Sequence, residues 1–562
     1  MKLRLAHLLF LLLGITVKTS VRAQQRPNII VILSDDMGYS DIGCYGSEIH
    51  TPNLDQLAAS GIRFSQFYNG ARCCPTRASL LTGLYPHQAG MGWMRDTDYQ
   101  LPGYRGDLNP KATTMAEVAR SAGYSTFLAG KWHVSQNIKE DGPKTSWPLQ
   151  RGFDRYYGTI QGAGSYFDPA ALCRDNHLIS PFTDPEYKTD SFYYTDAITH
   201  EAIRFIKERD ASKPFFLYVT YTAAHWPLHA KQADIAKYKG SYDKGWDVVR
   251  DARFRKLRHE GLISNNTELA PADYPGWDNG VDKAVQAARM EVYAAIIDDM
   301  DQGIGAIREA LKQQGIDNNT QDNGACAEDI GATGATGNWA QQPGTLKPLQ
   351  KDEISYATIP HITRDGKLVR KGKGISGGPD STYISYGKSW ANVSNTPFRE
   401  YKHWVHEGGI STPLIVNYPG VITGKNKITP FVGHIIDIMP TIVELTGAKY
   451  AGSIPLEGVS LVPLFKGQSL DRGKAICWEH EMNRAVRLGD WKLVSKGELL
   501  KDKEHYREGK WELYNMKKDR SELHDLAELY PEKVKELSNI WNAYAKRVGV
   551  FPAPWKPIMD LN

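Results

Sequence analysis

Four short apolar runs, separated by stretches of helical periodicity, constrain this sequence more than any other feature. They are "NIIVIL" (28–33), "STFLAG" (125–130), "PFFLYVTY" (214–221) and "TPLIVNY" (412–418). Their near-continuous apolar character reads as strands buried on both faces, the signature of parallel sheet covered by helices on each side. Between them, "TPNLDQLAASG" and "TMAEVARSAG" read as helices closed by glycine, and "AARMEVYAAIIDDMDQGIGAIREALKQQG" as a long amphipathic helix. After about residue 440 the pattern changes. "AICWEHEMNRAVRLGDWKLVSKG" and "KWELYNM" alternate as antiparallel strands do, and "YPEKVKELSNIWNAYAKRV" reads as a terminal helix. The expected organisation is a large α/β domain over 24–440 and a smaller α+β domain over 441–562. The stretch 325–381, rich in Gly, Ala, Pro and Lys, reads as flexible or inserted.

In open α/β sheets ligands bind beyond the carboxyl ends of the strands. Here "NIIVIL" runs into Ser34-Asp35-Asp36, "STFLAG" into Lys131-Trp132-His133, and "PFFLYVTY" into Thr222-Ala223-Ala224-His225. One sheet edge therefore collects two carboxylates, a lysine and two histidines. Taken singly, an acidic pair is an ordinary solvated turn and a lone histidine is more often structural than catalytic; the shared topological position argues against both. Adjacent carboxylates repel unless a cation neutralises them, and an oxygen-rich set suits calcium or magnesium. Asp322-Asn323 in "QDNGACAE" adds further oxygen ligands. In "CCPTRASLLTG" (73–83), Pro75 is placed to open a helix whose amino end, with Arg77, favours anions. A cation beside an anion site points to an oxyanion ester as substrate.

Composition excludes other classes. The net charge of +4 on 562 residues, with no basic run interleaved with aromatics, does not point to nucleic acid. Residues 1–23 combine Lys2 and Arg4 with an apolar run and a Val21-Arg22-Ala23 end, the form of a secretory signal peptide, so a periplasmic or secreted protein is expected. No stretch approaches the ~20 apolar residues of a membrane-spanning helix. The six cysteines are scattered, unlike a disulfide-stapled scaffold.

"CCPTRASLLTG" resembles the signature of type I sulfatases, Cys-x-Pro-x-Arg with a Leu-Thr-Gly tail. "SDDMGYSDIGCYG", "AGKWH", "AAHWPLHA", "DNGACAE" and "PFREYKHWVHEGGISTPLIV" follow in that family's order, so the resemblance spans nearly the whole chain after residue 23. It implies an alkaline-phosphatase-like α/β fold, a large mixed sheet flanked by helices with a smaller C-terminal antiparallel domain, and hydrolysis of aryl or carbohydrate sulfate esters. It further implies that Cys73 is oxidised to formylglycine by a dedicated maturation enzyme, with Cys74 a bystander. A hydrated aldehyde carries two hydroxyls on one carbon, which a thiol lacks: one attacks sulfur and the other expels sulfate.

The remaining roles are carried over by matched position. Asp35, Asp36, Asp322 and Asn323, with an oxygen of modified Cys73, resemble the ligands of one calcium ion. Arg77 and His133 resemble the residues that orient the hydrate, Lys131 and Lys402 those that hold sulfate oxygens, and His225 the acid that protonates the leaving alcohol. Loops near 91–107, 160–185 and 325–390 are expected to shape the pocket, with Trp93, Tyr104, Tyr166 and Trp339 available to stack on a sugar or aryl ring.

One departure stands out. The family's Asp-Asn-Gly follows a hydrophobic strand, yet "ALKQQGIDNNTQDNGACAE" carries no apolar run, as though about six residues were missing. The residues from Gln314 to Asp322 reach roughly 30 Å when extended, enough to cross a sheet but without side chains to fill it. Either Ile316 to Gln321 forms a poor polar strand, or the sheet carries a gap. Two other readings share these residues: a phosphomonoester or phosphonate hydrolase of the same fold, and a catalytically impaired protein that binds sulfated glycans.

Overall fold

A computed structural model describes residues 26–314, 319–320, 325–500, 502 and 504–557. The expected signal segment and the Asp322-Asn323 pair lie outside the described residues. In chain order the first strands are β1 (Ile29–Leu33), β2 (Ile62–Tyr68), β3 (Ser125–Gly130), β4 (Arg155–Thr159), β5 (Leu172–Arg174), β6 (His177–Leu178), β7 (Phe215–Thr220) and β8 (Asn319–Thr320). Six of them form one sheet in the order β1-β7-β3-β4-β5-β6, parallel from β1 to β4 and antiparallel at the β5 and β6 edge. Leu33 pairs with Thr220 and Thr220 with Gly130, so the three central strands end level with one another.

Alternate residues of these strands point to opposite faces, and both faces are buried. Ile30, Ile32, Leu217 and Val219 belong to a core covered by the helices Tyr194–Glu208 and Lys283–Gln313. Ile29, Val31, Phe216 and Tyr218 belong to a second core under the helices Cys73–Thr82, Met115–Ser121 and Ile438–Thr446. The mixed α/β architecture read from the sequence is the one observed. The helix at Met115 begins with a capping box in which Thr114 Oγ1 and the Glu117 carboxylate each accept the other's backbone N–H, which explains its sharp start.

The strand read in "TPLIVNY" is present at Leu414–Asn417 but not in the parallel sheet. It pairs antiparallel with β2 on one side and with β8 on the other, in a second sheet of four strands closed by Lys427–His434. The segment before Asp322 thus contributes a two-residue strand that pairs with Val416 and Asn417 and lies alongside β1 without a ladder to it. Of the expected strand Ile316 to Gln321, Asn319 and Thr320 are paired and the rest lies outside the described residues; the described strands fall into two separate sheets here. An apolar cavity of about 60 Å³ lies between Ile29–Val31, Val416–Tyr418 and the helix that carries Ile438 and Ile442.

Strands Ile476–His480, Asn483–Leu488, Trp491–Ser495 and Trp511–Asn515 form an antiparallel sheet backed by the helix Pro531–Val548. Val486, Leu493, Leu513, Leu537 and Trp541 share the second core with Phe64 and Ala78, so this sheet is continuous in packing with the larger part. The stretch 325–381 is irregular, as its composition predicts, but it is anchored: the buried guanidinium of Arg289 donates to the carbonyls of Ala332, Gly372 and Ile375 at 2.9, 3.1 and 2.9 Å. No helix among the described residues is long and apolar enough to cross a membrane.

Candidate active site

Cys73 is the first residue of the helix Cys73–Thr82, preceded by Arg72 in extended conformation and closed by Gly83 at φ 68°, where a side chain would be strained. Every residue of this helix is buried, and Gly70 N–H donates to Thr76 Oγ1 at 2.9 Å, tying the approach segment to the first turn. A helix start leaves backbone N–H groups and the positive end of the dipole at its mouth. The nucleophile candidate therefore sits where negative charge is favoured.

Because β1, β3 and β7 end level, their following residues meet. Lys131 N–H donates to Thr220 O at 2.9 Å, and Asp35 N–H to Ala223 O at 2.8 Å. The Lys131 ammonium lies against Asp35 Oδ2, and Arg77 approaches the same oxygen at 3.7 Å while donating to Lys131 O at 2.8 Å. Burial raises the Asp35 pKa, but Lys131 and Arg77 outweigh it and hold the carboxyl at about 2. Asp36 is different. Burial pushes it up to about 7, against the attraction of Lys402, whose Nζ donates to Asp36 Oδ2 at 2.8 Å. The other oxygen, Oδ1, is buried without a hydrogen-bond partner among the described residues. Two adjacent carboxylates, one with an unsatisfied oxygen, fit an oxygen-liganded hard cation.

His225 is nearly inaccessible, with Nδ1 2.6 Å from Trp226 O and Nε2 3.3 Å from Asp36 Oδ2. A carbonyl only accepts, so Nδ1 carries the hydrogen and Nε2 faces the site. Burial, then Lys402 and Lys131, lower its pKa to about 3. His133 has φ 62° and a buried, unpartnered Nδ1, and burial followed by Lys131 lowers its pKa to about 4. Ligand atoms of Cys73, Cys74 and His133 lie within 4.8 Å of one another. The Cys74 hydrogen bond holds the Cys73 thiol well below its ordinary range against the effect of burial, aided by His133, Lys402 and Lys131. Gly162 makes this packing possible, since a Cβ there would stand 1.9 Å from His133 Nε2.

Asp35, Asp36, Cys73, Arg77, Lys131, His133, His225 and Lys402 thus converge. Glu328 escaped the sequence reading. Glu328 accepts from Trp226 Nε1 at 3.0 Å, pairs with Arg72 at 2.8 Å and lies 3.9 Å from Lys402 Nζ. The signal for Glu328 was present in "DNGACAE", but nothing local assigns its partners. Two expected stacking residues are corrected: Tyr104 is buried against His87 and Trp555, and Tyr166 against Tyr193 with its hydroxyl donating to His225 O at 2.8 Å. Both are packing residues. Trp339 is engaged by Lys371 at 4.2 Å, and Trp93 stacks on His480.

The model of the sulfatase family matches residues 27–448, and that of the N-sulphoglucosamine sulphohydrolase C-terminal region matches 399–544. The chain is 32% identical to an uncharacterized sulfatase of Schizosaccharomyces pombe over 94% of this chain and 95% of the relative, and 34% identical to an arylsulfatase of Klebsiella aerogenes over 78% and 92%. Among solved structures, one in complex with k-i-k-neocarrahexaose superposes with TM-score 0.61 at 24% identity, covering 95% of each chain. Another, in complex with its substrate D-glucosamine-2-N,6-O-disulfate, gives 0.59 at 20% identity over 94% and 99%. Signature, fold and relatives agree: the chain belongs to the type I, arylsulfatase-like sulfatase family and is a sulfuric ester hydrolase.

Proposed function

We propose that this sulfatase hydrolyses sulfate esters through a formylglycine made from Cys73 by a maturation enzyme, with calcium held by Asp35, Asp36, Asp322, Asn323 and an oxygen of the modified side chain. The convergence of Arg77, Lys131, His133 and Lys402 around Cys73 at a helix start is the observation that supports this most. As its hydrate, formylglycine supplies one hydroxyl that attacks sulfur and a second whose deprotonation releases sulfate. Calcium, when bound, supplies charge that orients the hydrate and polarises the sulfate.

The residues of the chain do the rest. Lys131 and Lys402 each rest on one of the two aspartates, so their ammonium groups are poised over the same few ångströms that a sulfate oxygen would enter. Were a cation to engage the carboxylates, the two ammonium groups would be available to hold sulfate oxygens and stabilise charge as it builds in the transition state. His133 and Arg77 position the attacking oxygen. His225, with Nδ1 fixed by Trp226 O, presents Nε2 to the leaving oxygen; Nε2 is an acceptor on the neutral ring, and it acts as the general acid once the charge of a bound sulfate ester favours the imidazolium, whose Nε2 proton passes to the leaving oxygen.

We further propose a sulfated saccharide as the substrate class, on the model of the two sugar-bound structures, and export of the mature chain beyond residue 23. Mass spectrometry of an active preparation tests the nucleophile: conversion at residue 73 is expected, and full turnover with an intact Cys73 thiol overturns the reading. Parallel assays on sulfate and phosphate aryl esters separate it from a phosphoester hydrolase. Glycan binding without sulfate release would identify an impaired homologue instead.

A further inference from the structure

A second polar cluster lies where the antiparallel sheet meets the loop that carries Lys402. His480 ends the strand Ile476–His480 and pairs across the hairpin with Asn483, which leaves Glu481 and Met482 as a two-residue turn. Both have positive φ, 51° and 64°. A two-residue hairpin of this kind ordinarily takes Asn-Gly, because side chains at positive φ are strained. Met482 is accounted for by burial among Tyr104, Tyr506 and Trp555. Glu481 is buried as well, and it is charged. What the turn achieves is to aim its carboxylate across the domain boundary at His403, whose Nδ1 it meets and whose own φ is 93°.

His480 completes the group. Its ring is fully buried, stacks on Trp93 at 5.5 Å and stands edge-on to His403 at 5.7 Å, yet neither ring nitrogen has a hydrogen-bond partner among the described residues. Nε2 is 3.9 Å from Glu481 Oε1, beyond hydrogen-bond reach. A buried imidazole left without a partner is costly. Ligand atoms of His403, His480 and Glu481 all lie within 4.8 Å of one another. Arg72, whose charge reaches both imidazoles, is itself paired with Glu328 at 2.8 Å.

We propose that His403, His480 and Glu481 form a zinc-class transition-metal site, separate from the calcium site, that staples the C-terminal hairpin to the catalytic loop. Two imidazoles and a carboxylate suit a borderline-soft divalent ion and are a poor calcium set. His403 is the most exposed of the three, with 26% of its side chain accessible, so the site opens on that side and has an entry path. The strained turn, the strained His403 and the unpartnered His480 then share one cause.

The test uses the full-length chain with Cys73→Ala and Cys74→Ala, which removes both thiols of the other cluster and leaves only His133 of it, in buffer holding excess calcium. After equilibration with zinc chloride and dialysis, metal content by mass spectrometry should show one zinc per chain, and zinc should raise the melting temperature. His480→Ala should weaken zinc binding by more than about tenfold, since even loss of a second-shell partner costs about 10–100-fold. Glu481→Gln, which keeps shape and removes charge, should do the same if His480→Ala does not fold. Absence of retained zinc, or equal retention in the parent and Glu481→Gln chains, overturns the assignment. A gain in affinity for neutral sugars in place of zinc would show that the cluster holds substrate hydroxyls and would overturn it as well.

Discussion

His225 and His133 sit one strand apart, and their surroundings assign them different tasks. The Nδ1 hydrogen of His225 is committed to Trp226 O at 2.6 Å, so only Nε2 exchanges a proton with substrate. His225→Ala should therefore lower kcat/KM on sulfated sugars by about 10²–10⁴, with a smaller loss on activated aryl sulfates whose leaving groups need no acid. Equal losses on both, measured side by side, would make His225 a sulfate-binding residue instead. His133 depends on a neighbour. Gly162→Ala places a Cβ 1.9 Å from His133 Nε2, so the ring must move. This variant should lose turnover on both substrates while its unfolding midpoint changes little, because the displaced ring rather than the backbone absorbs the clash. Most of these side chains were legible in the sequence, since each follows an apolar strand directly. Glu328 was not, because its partners Arg72, Trp226 and Lys402 are far away along the chain and only folding brings them together.

Among the elements, the segment before Asp322 carries the clearest consequence. Among the described residues only Asn319–Thr320 pair in this segment, β1 has a ladder on one side, and a cavity of about 60 Å³ lies beside it. At about 24 cal/mol per Å³, filling that volume is worth roughly 1 kcal/mol. Insertion of six apolar residues after Thr320 should raise the melting temperature and slow amide exchange along β1 by giving it a second neighbour. A destabilised insertion variant would show that the divided sheet is the preferred arrangement. Calcium offers a second probe of the same region. Because the proposed ligands come from residues 35–36, 73 and 322–323 and would meet only in the folded chain, stability should rise with calcium concentration by about 2.7 kcal/mol at a hundredfold excess over Kd. Asp36→Ala should abolish that rise, as thermal melts with and without calcium would record. The sequence marks this segment as polar, and among the described residues it contributes only the pairing of Asn319 and Thr320. It did not disclose that Leu414–Asn417 would turn antiparallel, since a buried run looks the same in either orientation.

For the molecule as a whole, a buried charge network joins the C-terminal sheet to the catalytic part. Glu407 accepts from Lys492 Nζ at 3.0 Å, Arg520 Nε at 3.3 Å and Tyr68 at 3.0 Å, and Lys492 also meets Glu522 at 2.7 Å. Burial alone would raise the Glu407 pKa, but Lys492, Arg520 and Arg487 hold it at about 2, below the ordinary 4.5. A carboxyl with a depressed folded pKa adds stability that is complete above 4.5 and is lost as pH falls towards 2. Glu407→Gln should cost up to about 3–5 kcal/mol at neutral pH, because the buried Arg520 loses the Glu407 carboxylate and Lys492 is left with Glu522. Denaturant titrations at several pH values should show a flatter acid limb for this variant; an unchanged slope would exclude Glu407 from the acid transition.

The sequence by itself determined the class of fold, the order of the motifs and the identity of the groups at the strand ends, because short-range periodicity and residue chemistry are written in neighbouring positions. Only the tertiary structure decided the division of the sheet, the burial of Tyr104 and Tyr166, the pairing of Glu328 and Glu407, and the meeting of His403 with His480 and Glu481. Each of these depends on which distant surfaces pack together, and a contact of that kind is set by the summed burial of whole elements rather than by any local pattern.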